Sequence, residues 1–574
     1  MNDSWKTIET DLLLIGGGVA GCMAAIEAQE AGLDVVVCEK GKVLDHTGSV
    51  GCGVDQYLTI MESGPEWDTP EFLINHLQDL TDGIVDMAVS SKVIREMPKV
   101  LKKIESFGVD FKDPVTKEYY RLRSFGLPAT YHINFDGTDF KKMIGQQVRR
   151  GQATVLMRTM GVQVLTHENK AYGALAFNFR TGEWYAIRAK AVMLATGDVN
   201  RLSTNATGLS FDSWHCPYNT GDAQAMGYRA GAALANMEFV EMNLVPKGFS
   251  AQGLNALVSL GAHFLNRHGE RFMFKYDKRG ENARRAIITD AVITEHLDGN
   301  GPIYVDCSVL SEKDLDFLEE TLGIDRYTMP AFYEQKKHDI RTQPVEVSIS
   351  ELSIRRSGLY FRGSGLAVDT KGETSIEGLF AAGDCSTCGG GVSGAAVLGY
   401  IAGQGAVERI RKDKGAALPE IDQDAADAIR ASSGSHLQQP DGIPWREFEA
   451  EVQRTVSDYA GVRRTEKGLK LALETLSILE KKEPTLKADD MHGLMRVNES
   501  QNIRLNSELM ATTSLARQET RTGTVHNRLD YPDSDDSNWR KFIVVEQGDE
   551  GPNLSTLDAD RPLSDAFTRE QSAV

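Results

Sequence analysis

Thr10-Asp11-Leu12-Leu13-Leu14-Ile15-Gly16-Gly17-Gly18-Val19-Ala20-Gly21 decides the fold. A short apolar strand runs into glycines at 16, 18 and 21, the GxGxxG spacing, and an alanine-rich helix follows from Cys22 to Ala31. After Gly32 comes a second buried strand, Leu33-Asp34-Val35-Val36-Val37-Cys38, and then an acid, Glu39. The three glycines serve different ends, which are a tight turn, backbone approach to a pyrophosphate, and close packing of helix on strand. The helix N-terminus offers unpaired N–H groups and partial positive charge to the phosphates. Glu39 lies 23 residues after Gly16, near the roughly 20-residue offset of an acid that binds ribose hydroxyls. A lone GxGxxG says little, but the complete strand–turn–helix–strand–acid unit points to a dinucleotide.

The rest of the chain sets the frame. Its 574 residues exceed what one core holds, since single cores rarely grow past about 250–300 residues. Hydrophobic (41%) and charged (25%) fractions are those of a water-soluble globular protein. A formal net charge of -19 argues against nucleic acid and anionic membrane surfaces as partners. No apolar run reaches the roughly 18 residues of a membrane span. The polar start, Met1 to Thr10, lacks a signal peptide's basic and apolar regions. Seven scattered cysteines form no disulfide framework. These features lead us to expect a cytoplasmic protein.

Organisation follows from composition and period. His46-Thr47-Gly48-Ser49-Val50-Gly51-Cys52-Gly53 is small and glycine-rich, able to lie close against a flat ring. Strands follow Val162, around a turn at Thr181-Gly182, and Ala191 to Gly197 reads as a buried strand ending at a glycine. Residues from about Ala235 to Leu352 read as an insertion. The chain then returns through Gly378-Leu379-Phe380-Ala381-Ala382-Gly383-Asp384. Lys412 to Asp441, small and polar, reads as a linker. From about Pro444 helical periodicity dominates, with Leu469, Leu473, Leu476 and Leu479 at spacings of four and three.

Several of these motifs are recognisable together. The opening unit, the strand Val192 to Gly197, Asn219-Thr220-Gly221-Asp222-Ala223, Met237-Glu238-Phe239-Val240, Leu265-Asn266-Arg267-His268-Gly269-Glu270-Arg271-Phe272-Met273, the GLFAAGD stretch, Leu515 to Arg521 and Arg528-Leu529-Asp530-Tyr531-Pro532 resemble the succinate dehydrogenase/fumarate reductase flavoprotein family, in order and over nearly the whole chain. The resemblance implies an α/β fold: a Rossmann-like FAD-binding domain (1–234 and 353–411), an inserted α+β capping domain that carries substrate contacts (235–352), a linker (412–443) and a helical C-terminal domain (444–574). It also implies FAD held by Gly16, Gly18, Ala20, Gly21, Glu39, Lys40, Thr47, Gly48, Ser49, Cys52, Gly53, Ala195, Thr196, Gly197, Asn205, Asp222, Gly383, Asp384, Gly394 and Ala395. Gly383-Asp384 is expected at a helix start, facing the pyrophosphate and ribityl chain.

The catalytic positions depart from that family's pattern. Its fumarate reductases and succinate dehydrogenases hold a dicarboxylate between two histidines and two arginines, which bind carboxylates bidentately. Aligned on local motifs, those four positions fall on Asn243, near Asp290, near Tyr360 and on Val397. The residue that carries flavin covalently in succinate dehydrogenases falls on Gly48 or Ser49, with His46 two residues away, so noncovalent FAD is expected. The alpha subunit of adenylylsulfate reductase fits these departures better; Trp214-His215-Cys216-Pro217-Tyr218-Asn219, Leu244 to Phe249 and Asn300 to Tyr304 look like that branch. Candidate substrate residues are Arg285 (an anion contact, beside Arg284), Tyr360 (a proton donor, with Arg355, Arg356 and Arg362 near it), His263, Asn243 and Trp214. Cys385 and Cys388 form a CxxC read as structural. One dinucleotide fingerprint leaves no NAD(P)H site, so electrons pass by an iron–sulfur subunit, a ferredoxin or quinone, or dioxygen. The resemblance, whose two nearest branches pair with iron–sulfur subunits, implies an iron–sulfur or ferredoxin-like electron partner. The reading is an FAD-dependent oxidoreductase acting through flavin N5 on a small molecule other than a C4 dicarboxylate. Its rivals are a non-catalytic electron-transfer subunit and an adenylylsulfate reductase alpha-like subunit. Oligomeric state stays open.

Overall fold

The computed structural model describes residues 5–51, 53–113, 115–123, 126–250, 254–325, 329–355, 361–415 and 417–567. Strand β1 (Lys6–Ile15) leads through the glycine turn into helix α1 (Val19–Glu30), and β2 (Val35–Glu39) returns beside β1 in parallel, Leu12 opposite Val35 and Ile15 opposite Cys38. The apolar ends of both strands are buried, as a sheet with both faces covered requires. Strands β3 (Thr154–Met157), β4 (Thr159–His167), β5 (Lys170–Asn178) and β6 (Trp184–Leu194) complete the order β3-β2-β1-β6-β5-β4. The β4–β6 meander is antiparallel, with the turn after β5 at Thr181-Gly182, where the Gly182 N–H donates to Asn178 O at 2.9 Å. Helix α2 (Asp222–Arg229) follows, fully buried along most of its length.

The capping domain has its own core, drawn from Leu244 to Val347. Its antiparallel sheet runs β7-β10-β9-β8, from β7 (Leu244–Pro246), β8 (His263–Leu265), β9 (Tyr304–Asp306) and β10 (Val345–Ile349). Helix α3 (Arg285–Leu297) packs within it. The chain re-enters the first domain as β11 (Leu379–Ala381), parallel to β6 with Leu379 opposite Val192. Helix α4 (Gly391–Lys412) then lies against α1 so closely that a Cβ on Gly399 would sit 2.3 Å from Ala20 O. Glycine here brings the body of α4 onto the first turn of α1.

Two readings of the C-terminal third change. The stretch 412–443 contains helix α5 (Gln423–Ser435), whose Asp422 cap accepts from Ala425 N and whose Ala426 packs on Leu175 and Ala186 of the meander. Small polar residues hid one short buried stripe. Helices α6 (Trp445–Tyr459), α7 (Glu466–Lys482) and α8 (Met491–Ala516) form the helical domain, with Leu469, Leu476 and Leu479 buried and Leu473 half-buried. That domain closes with a hairpin, β12 (Lys541–Gly548) and β13 (Gly551–Asp558), and β12 pairs with Leu234–Ala235 of the first domain. Among the described residues no helix is long and apolar enough to cross a membrane, and no cluster of histidines, cysteines and acids suits a metal.

Candidate active site

The carboxyl ends of β1, β6 and β11 open onto a cavity of about 860 Å³, within the upper range of small-molecule and cofactor sites. Gly16 turns there at φ +106°, and a Cβ on it would lie 2.4 Å from Ala195 O. No other residue lets the turn pass so close to the end of β6. Glu39 ties the turn together: its carboxylate accepts from Gly17 N and Gly41 N, both at 2.6 Å. Thr47 Oγ1 donates to Gly17 O at 3.0 Å, and Thr196 Oγ1 accepts from Ala223 N at 2.9 Å. Lys40 sits between Asp222 (2.8 Å) and Glu499 (2.9 Å). Burial pushes the Glu499 carboxyl upward, but Lys40, Arg201 and Arg496 outweigh it and hold it at about 2.

The other end of the cavity is a charged cluster. Asp198, fully buried after β6, accepts from His215 Nδ1 (2.8 Å), Asn219 Nδ2 (2.7 Å) and Asn200 Nδ2 (3.0 Å). Burial would raise its carboxyl pKa, yet His215 and Arg355 hold it well below the usual carboxylate range. Arg285, the first residue of α3, is ion-paired with Glu241. Arg355 reaches Glu241 at 3.2 Å, Asp384 at 3.5 Å and Asp198 at 3.8 Å, and its guanidinium lies 5.3 Å from the centre of the Trp214 ring. Behind this ring, Glu351 accepts from Trp214 N (2.8 Å) and Ser250 Oγ (3.0 Å), and burial pushes its carboxyl pKa up to about 7. Ser49 Oγ stands 3.3 Å from His215 Nδ1 and accepts from Asn219 Nδ2 at 3.2 Å.

Of the residues expected to hold cofactor, Gly16, Gly18, Ala20, Glu39, Lys40, Thr47, Gly48, Ser49, Ala195, Thr196, Gly197, Asp222, Gly383, Asp384 and Ala395 line the cavity. Gly21 and Gly394 stand one layer behind, against the carbonyl of Gly16 and the backbone of Gly389. Gly53 is outside the lining, and Asn205 organises a surface turn, accepting from Thr207 N and Gly208 N. Cys52 lies outside the described residues. Asp384 is not at a helix start: it stands seven residues before α4 and reaches forward to accept from Gly391 N at 3.2 Å.

Among the substrate candidates, Arg285 lines the cavity; Trp214 is buried beneath Arg355, between the lining residues Ser213 and His215. Asn243 is buried outside the lining, its N–H donated to Ser350 Oγ at 2.8 Å. His263 lies on β8 opposite Asp306, away from the lining. Tyr360 and Arg356 lie outside the described residues. Arg362 is buried over the Phe239 ring and donates to Thr81 O and Thr522 Oγ1. The local alignment that set the insertion-helix arginine near Asp290 changes. Asp290 is half-buried 3.6 Å from Arg463, and the arginine of this helix that faces the cavity is Arg285. Val397 is core of α4. His215, Asp198 and Glu241 escaped the motif reading; the loop that carries His215 signalled only a likeness to one branch. One face of α8, His492, Met495, Arg496 and Glu499, also lines the cavity, at three- and four-residue spacings nothing in the motifs announced. Cys385 and Cys388 are buried, and burial pushes both thiols up to about 12.

The family model described as FAD binding domain matches residues 11–401, and the model described as fumarate reductase flavoprotein C-term matches 449–568. The chain belongs to the succinate dehydrogenase/fumarate reductase flavoprotein family. It is 28% identical to an uncharacterized FAD-dependent oxidoreductase of Methanocaldococcus jannaschii, covering 94% of this chain and 96% of that one. It is 27% identical to a CoM/CoB fumarate reductase subunit of Methanothermobacter marburgensis, covering 94% and 97%. In fold it is similar to adenylylsulfate reductase of Archaeoglobus fulgidus (TM-score 0.87, 24% identity, 97% of each chain) and to quinol fumarate reductase of E. coli (TM-score 0.84, 21% identity, 96% and 97%). This flavoprotein is an FAD-dependent oxidoreductase. Its cavity fits FAD: Gly18 leaves open space where a side chain would project, Gly16 and Gly383 turn the lining backbone at positive φ, and Glu39 stands at the end of β2.

Proposed function

We propose that this flavoprotein oxidises or reduces a small molecule other than a C4 dicarboxylate, bound between the FAD-binding and capping domains. Bound FAD supplies two-electron chemistry at its N5 atom. The observation that carries the reading is the charge balance at the cluster. Both guanidinium groups there, Arg285 and Arg355, are already engaged by Glu241, Asp198 and Asp384. Two unit charges 4 Å apart interact by about 4 kcal/mol at an effective dielectric of 20. A dicarboxylate would therefore meet carboxylates rather than the unpaired arginines its recognition needs.

In this reading Arg285 and Arg355 orient polar groups of the substrate, and Trp214 holds the Arg355 plane. Noncovalent attachment is supported by Gly48 and Ser49 at the linkage position, neither of which offers an imidazole. A separate electron-accepting subunit suits a cavity with one dinucleotide turn, and several relatives are named as subunits. A reducing cytoplasm suits the six described cysteines, all free thiols.

The test is anaerobic reduction of the flavin-loaded protein, followed at the flavin bands, with succinate, sulfite plus AMP, and a panel of phenols, amines and hydroxy acids. Bleaching by an organic donor outside the dicarboxylates is the expected result. Bleaching by succinate overturns the reading, and an adduct spectrum with sulfite and AMP replaces it by sulfur chemistry.

A further inference from the structure

His215 is the one imidazole of the charged cluster, and its setting differs from that of every other polar group there. The two arginines of the cluster are engaged by its carboxylates, whereas His215 is fixed at one nitrogen only. Nδ1 meets Asp198 at 2.8 Å, with Ser49 Oγ at 3.3 Å on the same atom. Nε2 makes no hydrogen bond with the described residues, and the ring lines the cavity. Asp198 is itself immobilised by the amides of Asn200 and Asn219 and by Ser353 Oγ at 3.3 Å. A carboxylate on Nδ1 sets the tautomer and leaves Nε2 as the basic atom.

Resting on the oxidoreductase reading above, we propose that His215 is the proton-carrying residue of this site, exchanging a proton with the substrate through Nε2 while Asp198 positions the ring. In the oxidative direction the substrate O–H or N–H bond breaks and its proton forms an Nε2–H bond, leaving an imidazolium beside the Asp198 carboxylate. The freed electron pair closes a double bond to carbon as the adjacent C–H bond breaks and its hydride passes to the bound FAD that serves as oxidant. In the reductive direction the same proton returns. The imidazolium is stabilised by the carboxylate 2.8 Å away, a charge-assisted contact of roughly twice the strength of a neutral one.

The other titratable and charged groups around the ring do not take this part. Glu241, Arg285, Arg355 and Asp384 are held in ion pairs. Cys216, next in the chain, is kept protonated, its thiol pushed up to about 11 by burial. Glu351 faces away, onto Trp214 N and Ser250 Oγ.

Oxidation of substrate would leave two electrons on the cofactor and one proton on His215. Reduction through a redox dye reaches that same state without any substrate, so the proton is countable. The experiment is potentiometry of the flavin-loaded protein against pH, with wild type, His215→Gln, Asp198→Asn and Glu351→Gln. One proton per two electrons is a tenfold change per pH unit, which for a two-electron couple is about 30 mV. We expect His215→Gln to lower the slope by that amount in the neutral range, Asp198→Asn to move the steeper limb to lower pH, and Glu351→Gln to leave the slope unchanged. A wild-type slope in His215→Gln with full flavin content overturns the assignment. If instead no variant retains reducible flavin while wild type does, one-dimensional hydrogen–nitrogen NMR of the wild-type imidazole decides. Nε2 must then gain a proton on reduction, and failure to do so overturns the proposal. Absence of reducible flavin in wild type sinks the oxidoreductase reading itself.

Discussion

Replacing Glu351 with glutamine tests the electrostatics of the cluster through stability alone. The Glu351 side chain is 1% exposed and accepts hydrogen bonds from Trp214 N and Ser250 Oγ, with no cation paired to it among the described residues. Burial raises its carboxyl pKa from 4.5 to about 7. At 1.36 kcal/mol per pKa unit, ionising it in the fold costs about 3 kcal/mol. The folded pKa lies above the unfolded one, so the protonated carboxyl's contribution is complete below pH 4.5. It is lost as pH rises through about 7. Glutamine keeps the shape and never ionises. Between pH 5 and pH 8 the stability of Glu351→Gln relative to wild type should therefore improve by about 2–3 kcal/mol. At roughly 2–4 °C per kcal/mol for a cooperative unit of 150–250 residues, this is a relative gain of about 5–10 °C in Tm. Thermal melts of both flavin-loaded proteins at the two pH values measure it. A difference that does not change with pH, or that swings toward wild type at pH 8, refutes the placement of an unpaired buried carboxyl behind Trp214.

Three further outcomes follow from the same geometry. Lys40→Met strips buried Asp222 of its cation, while Glu499 keeps Arg201 and Arg496, a loss of about 3–5 kcal/mol by analogy with a broken buried pair; purified protein should carry far less flavin, read from the ratio of flavin to protein absorbance. Gly16→Ala forces a Cβ to 2.4 Å from Ala195 O at a left-handed φ, so the variant should lose flavin and melt at lower temperature. Cys385→Ser with Cys388→Ser should leave the flavin midpoint potential within error of wild type, because both thiols stay protonated at neutral pH and face the core.

The nucleotide half of the site was legible because its chemistry is local. A strand, a glycine turn, a helix and an acid lie within residues 10–39 and position one another through the backbone. The capping insertion was legible because the chain leaves and re-enters the FAD fingerprints in order. The charged cluster was not, because its partners are remote: Arg285 pairs with Glu241 across 44 residues and Arg355 approaches Asp198 across 157. Local alignment set Asn243 and Val397 at two clamp positions, and neither lines the cavity. It missed that Arg285 arrives one turn earlier on the same helix as Asp290, and that Glu241 neutralises it. Helix α5 was hidden for another reason: it buries only a narrow stripe against a surface made elsewhere, so its composition stays polar. Strand β12 instead buries the apolar run Phe542-Ile543-Val544-Val545, a strand signal that the helical reading of the C-terminal third passed over.

Glu241 is the pivot of the charge balance, and its replacement by glutamine is the most direct test. Flavin-loaded wild type and Glu241→Gln are titrated with malonate and with succinate, and binding is read as perturbation of the flavin spectrum. Removing one carboxylate from beside Arg285 and Arg355 should tighten dicarboxylate binding at least tenfold, a change of about 1.4 kcal/mol, while wild type stays weak and unbleached. Tight binding or bleaching by succinate in wild type, or no gain in Glu241→Gln, would contradict a site whose arginines are already engaged.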